Sequence, residues 1–119
     1  MIVTDIEATG LDPKIHSIVS IGAVNLDNPT EQFYEECRAF DGAEFVDEAM
    51  IVNGYTIEQV IDPCKQSEAE LIARFAAWVA QQNTIKILAG QFISMDIEHF
   101  RAACERAGIE YFFPRHFVD

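Results

Sequence analysis

The stretch VTDIEATGLDP, Val3 to Pro13, decides how the rest of the chain is read. It opens as a short apolar strand and closes in a turn, with Asp5 and Glu7 two residues apart. Side chains alternate faces along a strand, so these two carboxylates are neighbours on one face. Like charges side by side repel, and drawing either out of water unpaired is costly. The surrounding sequence offers few cations to compensate them, so something outside the stretch must.

The chain has 119 residues, half of them apolar, which fits one domain with one ordinary core. No apolar run reaches membrane-spanning length and no signal peptide is visible, so the expectation is a soluble, cytoplasmic protein. Cys37, Cys64 and Cys104 are scattered and odd in number, which predicts reduced thiols buried or half-buried rather than a disulfide framework or zinc site. The formal net charge is −12, from 20 acids against 8 bases. That argues against tight nonspecific wrapping of nucleic acid, which needs a basic surface, and favours cations at the site.

Along the chain, MIVTD reads as a first strand, IHSIVSIGAVNL as a long second one and EQFYEECRAF as a third, joined as a hairpin through Asp27-Asn28-Pro29. Residues 46–62 predict two short helices around Asn53-Gly54, the second capped by Thr56 with Glu58 close behind. The segment 67–82 predicts the clearest helix: Ser67 and Glu70 form a capping box, and Leu71, Ile72, Phe75, Trp78 and Val79 make one apolar stripe. Ile85 to Ala89 is a short strand. A helix follows from about Met95 to Ala107 with Gly108 as its stop, and HFVD opens a fifth strand.

Asp96 then falls near the positive N-terminal end of its helix, just after strand 85–89. Taken alone it is an ordinary first-turn acid. If strands 1–5 and 85–89 are adjacent and parallel, however, Asp5, Glu7 and Asp96 converge at their carboxyl ends, where α/β sheets bind ligands. Three carboxylates without bases suit a hard divalent cation such as Mg²⁺ or Mn²⁺. The spacing D-x-E-x-T-G over Asp5, Glu7, Thr9 and Gly10 is expected by chance about once in a thousand chains of this length.

Asp5-Ile6-Glu7-Ala8-Thr9-Gly10 resembles the first motif of the DEDD 3′–5′ exonucleases (DnaQ-like and RNase T-like), which share an RNase H-like fold. AMIVNGYT, residues 49–56, is similar to a segment that follows the third strand in many members. ILAGQFISMDIEHF, residues 87–100, resembles the second motif, with Asp96 on its acidic position. The resemblance implies a two-metal phosphodiesterase acting on the 3′ end of single-stranded DNA or RNA. Asp5, Glu7 and Asp96 would be its catalytic metal ligands for two Mg²⁺ or Mn²⁺ ions, or for only one. It also implies that Ala8, Thr9, Gly10 and Leu11 hold the 3′-terminal nucleotide, with Leu11 against its base.

Two departures stand out. The family's second motif often carries His-Asn after its glycine, where this chain has Gln91-Phe92. Its third motif pairs a general-base histidine with a fourth acidic ligand. His116 and Asp119 are spaced too closely, and come too soon after Asp96, to be that pair, while His16 and His99 read as structural histidines. The expectation is a single domain over residues 1–119. Its fold is α/β, an RNase H-like mixed sheet with a three-stranded antiparallel part plus parallel strands, flanked by helices and lacking the family's C-terminal helices. The alternative is a catalytically impaired remnant acting as a metal-binding, nucleic-acid-binding or protein-interaction module. A sheet face left bare in this way is expected to be covered by a second copy. Sedimentation equilibrium should then show a homodimer, and a clean monomer at high concentration contradicts it.

Overall fold

The computed structural model describes residues 1–119. Its order is β1 (Ile2–Ala8), β2 (Ile18–Asn25), β3 (Gln32–Glu36), α1 (Asp47–Asn53), α2 (Ile57–Val60), α3 (Glu68–Gln81), β4 (Leu88–Ala89), α4 (Ile93–Ala107) and β5 (Phe117–Val118). The strands form one sheet in the order β3-β2-β1-β4-β5. The β1–β2 and β2–β3 pairs are antiparallel, and β1–β4 and β4–β5 are parallel. This is the expected mixed sheet, and β1 and β4 are the adjacent parallel pair on which the convergence of acids depends.

One face of β1 carries Ile2, Thr4 and Ile6, in register with Asn25, Ala23 and Ile21 of β2. On that side Ile2, Ile18 and Ile21 join the main core with Leu71, Ile72 and Phe75 of α3 and Ile97, Phe100 and Cys104 of α4. Trp78 packs at its margin, stacked on Phe75 at 6.2 Å. A smaller cluster of Val19, Met50 and Val60 docks α1 and α2. Burial of these apolar side chains is the main stabilising term.

The α3 helix is capped as its sequence predicts: Ser67 Oγ accepts the Glu70 N–H at 3.1 Å, and Glu70 Oε1 accepts the Ser67 N–H at 3.0 Å. Thr56 caps α2 in the same reciprocal way with Gln59, and Glu58 stands in the first turn as expected. Gly54 ends α1 in the left-handed conformation.

Three boundaries differ from those the sequence predicts. The first strand runs on to Ala8, so both Asp5 and Glu7 lie within it. The strand expected over 85–89 is only Leu88–Ala89, because Ile85 is exposed and Lys86 turns back to the Gln82 carbonyl. The last long helix begins at Ile93 rather than Met95, since Phe92 takes a left-handed N-cap (φ 54°) and its N–H is held by Asp119 Oδ1 at 2.8 Å. Of the cysteines, Cys37 and Cys104 are buried but Cys64 is exposed, contrary to expectation.

Candidate active site

Asp5 and Glu7 sit on the outward face of β1, where Asp5 pairs with Gly22 and Glu7 with Ser20. Immediately after Glu7 the register slips, so that Ala8 pairs with Ile18. Such a bulge bends the strand and re-aims the residues beyond it. Here it delivers the Ala8–Leu11 turn.

That turn is fastened on several sides. Thr9 is fully buried. Its hydroxyl donates to the Glu44 carbonyl at 2.7 Å and accepts the Ser17 N–H at 2.9 Å. Its N–H reaches the Ser17 carbonyl, and its carbonyl accepts the Val46 N–H. Gly10 lies against the His16 ring, well inside the distance a Cβ requires. His16 Nδ1 accepts the Asp12 N–H at 2.9 Å, so His16 is structural, as expected. The D-x-E-x-T-G spacing therefore has a physical reason at its last two positions: Thr9 rivets the turn and Gly10 makes room for His16.

Farther along the turn, Arg106 Nη1 donates to the Pro13 carbonyl at 2.8 Å. The same guanidinium forks onto buried Glu68, at 2.8 Å to Oε1 and 3.0 Å to Oε2, and lies 4.0 Å over the Phe40 ring. Glu68 Oε2 also accepts the Ser17 hydroxyl and the Ile18 N–H. Removing one partner from such a buried pair strands the other charge, so the two act as a unit.

Asp96, in the first turn of α4, meets β1 from the other side. It is buried, and its Oδ2 has no hydrogen-bond partner. Burial pushes its carboxyl up to about 7; the negative charge of Asp5 adds to the effect, the Ile6 backbone pulls the other way, and the charge of Glu7 adds least. Glu7 is also raised, by burial first and by Asp5 second. The three carboxylates thus act on one another, with no lysine or arginine among the groups that shift Asp96 or Glu7. An all-oxygen, uncompensated donor set with one orphaned buried oxygen fits a hard divalent cation. As the side chains lie, no three His, Cys, Asp or Glu residues are gathered into a ready cage for a metal ion.

A cleft of about 360 Å³ opens beside these acids. Glu7, Ala8, Gly10 and Leu11 form one wall, Val46, Ala49 and Val52 another, and Met95, Asp96 and His99 a third. Of the residues expected to hold nucleotide, Ala8, Gly10 and Leu11 line this cleft, with Leu11 74 % exposed. Thr9 does not, and acts on the turn from beneath. Asp5 opens onto a neighbouring hollow that Glu7 also lines.

Sequence reasoning missed the contribution of Val46, Ala49 and Val52, which no local pattern reveals. It also set His99 aside. His99 is buried, has an unpartnered Nδ1 and lines the cleft, and burial lowers its pKa. The available signal was its place three residues after Asp96, one turn along the helix. His116 is exposed, and Asp119 holds the Phe92 N–H.

The exonuclease family RNase T matches residues 2–119. The chain belongs to that family. No curated protein sequence matches it. Among solved structures, E. coli exonuclease I in complex with a dT13 oligonucleotide superposes with a TM-score of 0.75 at 19 % identity, over 92 % of this chain and 24 % of that one. An SSB/exonuclease I structure with the inhibitor CFAM gives 0.75 at 20 %, over 92 % and 25 %. A moderately thermophilic exonuclease I from Methylocaldum szegediense gives 0.73 at 25 %, over 89 % and 23 %. The chain spans about a quarter of the length of these structures. The fold is the RNase H-like fold of exonucleases. No helix is long and apolar enough to cross a membrane.

The raised carboxyl of Asp96 has a measurable consequence. A carboxylate whose folded pKa is raised holds its proton more tightly folded than unfolded, so its stabilising contribution is full below about pH 4 and is lost as pH rises through about 7. In EDTA, Asp96→Asn should therefore melt several degrees above wild type at about pH 8 and close to it at about pH 4. Equal midpoints for the two proteins at both pH values would contradict the shift.

Proposed function

We propose that this domain hydrolyses phosphodiester bonds at the 3′ end of single-stranded DNA or RNA, with Asp5, Glu7 and Asp96 holding one or two Mg²⁺ or Mn²⁺ ions. The observation that carries this reading is the electrostatic coupling of buried Asp96, at the start of α4, to Asp5 and Glu7 on the neighbouring strand β1, with no cation among the groups that shift it. Membership of the exonuclease family supports it, as does the oligonucleotide bound to E. coli exonuclease I.

A divalent ion bound there supplies water activation and neutralises charge developing on the phosphate and the leaving oxygen. The chain's own residues do the rest. The three carboxylates would supply the oxygens that hold the cation beside the scissile phosphate, and burial of Asp96 keeps its Oδ2 out of bulk water. Leu11, Val52 and Met95 offer an apolar surface for the terminal base, and the fastened Ala8–Leu11 turn fixes its distance from the acids. Hydrolysis breaks the bond from phosphorus to the upstream 3′-oxygen. A water oxygen joins phosphorus, the 3′-oxygen leaves with a proton, and a 5′-mononucleotide remains in the cleft. In the same reading a second copy covers the exposed sheet face.

A second reading, a domain that binds metal and nucleic acid without cutting, is favoured by two observations. His116 is exposed and away from the cleft lining, and Asp119 is committed to Phe92.

Thermal unfolding with Mn²⁺ and cleavage of a 5′-labelled oligonucleotide separate these readings. Saturation about a hundredfold above Kd should stabilise the protein by about 2.7 kcal/mol, and the label should shorten one nucleotide at a time from the 3′ end. Asp5→Ala should remove both effects. Stabilisation without cleavage selects the non-cutting reading, and the absence of both refutes the metal site.

A further inference from the structure

Asp5 and Glu7 stand beside a second hollow, also of about 360 Å³, that is continuous with the cleft through Ile6 and Glu7, which line both. Its floor is Ser20 and Gly22 of β2, and its far side is Tyr34 of β3 with Asn53 and Tyr55 above. Asp5, Gly22 and Tyr34 are in register across the three strands. Tyr34 therefore stands two strand spacings, about 10 Å, from Asp5.

Gly22 is the informative residue. A glycine inside a strand weakens it, and its presence marks a bulge, a bend or a close approach. Gly22 lies outside the bulge, has no positive φ, and a Cβ there would meet only the Tyr34 ring at 3.7 Å and the Asp5 carbonyl at 3.9 Å, which is ordinary contact. The other five glycines each answer to a backbone need: positive φ at Gly42, Gly54 and Gly108, and steric crowding at Gly10 and Gly90. What Gly22 preserves is open space between an acid and an aromatic ring.

That ring is held in place. The Tyr34 hydroxyl donates to Glu36 Oε2 at 3.2 Å and lies 3.4 Å from the Tyr55 hydroxyl, which itself donates to Glu36. Lys65 pairs with the same carboxylate at 3.5 Å. Tyr34 is thus tethered at its tip while 65 % exposed.

A phosphodiester carries one nucleoside on each side of its phosphorus, and the acids stand between two hollows. The geometry points to the β1–β3 groove as the subsite for the nucleoside on the 5′ side of the scissile bond, its base stacked on Tyr34 over the open floor at Gly22. The inference rests on reading Asp5, Glu7 and Asp96 as the phosphodiester site. Asp5, Glu7 and Glu36 make the groove unsuited to a further anion, whereas a neutral base has a π-face that an aromatic ring accepts whatever its identity.

The test uses a labelled thymidylate hexamer whose last bridging 3′-oxygen is replaced by a methylene group, so that it binds in Mn²⁺ without being cut. Its partner is the same hexamer with the penultimate base removed. Wild type should bind the abasic hexamer roughly tenfold more weakly. Tyr34→Leu should lose roughly that factor on the intact hexamer and no longer distinguish the two, while Tyr34→Phe, which keeps the ring, should still distinguish them. Gly22→Val should fill the floor and weaken the intact hexamer, with the Mn²⁺ shift in melting midpoint unchanged. Wild type binding both hexamers alike, or Tyr34→Leu keeping the distinction, overturns the groove. Wild type binding neither hexamer overturns the reading of the acids and the groove with it.

Discussion

At Gly90 the backbone passes so close to β1 that a Cβ would stand 2.5 Å from the Thr4 carbonyl. The whole site depends on that approach. Only two residue pairs join β1 to β4, Ile2 with Leu88 and Val3 with Ala89. Beyond them the chain must turn at once into α4 for Asp96 to reach Asp5 and Glu7. A side chain at position 90 would push the β4–α4 unit outward, and the third carboxylate with it. A short parallel contact, closed by a residue with no side chain, sets how near Asp96 comes to Asp5 and Glu7.

The opposite wall of the cleft is held by different means but from the same helix. The α4 helix presents Asp96 in its first turn and Arg106 in its last, and Arg106 holds the Pro13 carbonyl beyond the Ala8–Leu11 turn. Glu68, at the start of α3, locks that guanidinium and at the same time receives Ser17 and Ile18 at the head of β2. One helix therefore sets both the position of the acid and the position of the turn that carries Leu11. The repulsion among the carboxylates is a local cost which this framework sustains, as active sites commonly require.

Much of this was legible in the chain itself. Alternation alone put Asp5 and Glu7 on one face, and the Ser67–Glu70 spacing fixed the start of α3, because both are local rules. The parallel pairing that brings in Asp96 was reachable as a conditional, from a short strand followed by a helix with an acid in its first turn. What escaped depends on contacts distant in sequence. Asp119 stabilises the left-handed Phe92 that starts α4 early, and Thr9 turned out to hold the turn rather than line the cleft because Glu44 and Ser17 claim its hydroxyl. His99 is buried on α4 as its place beside core positions predicts, and what only the packed structure adds is an Nδ1 without a partner. The exposure of Cys64 is by contrast a local matter, since it follows Asp62 in a turn where Asp62 Oδ1 accepts its N–H.

The central claim is that the meeting of Asp5, Glu7 and Asp96 is a divalent-cation site. Anomalous diffraction from crystals soaked in Mn²⁺ tests it most directly. The account predicts manganese peaks between the three carboxylates, lost in Asp5→Ala crystals soaked alike. Well-ordered carboxylates with no manganese among them, in crystals that bind the ion elsewhere, would contradict it.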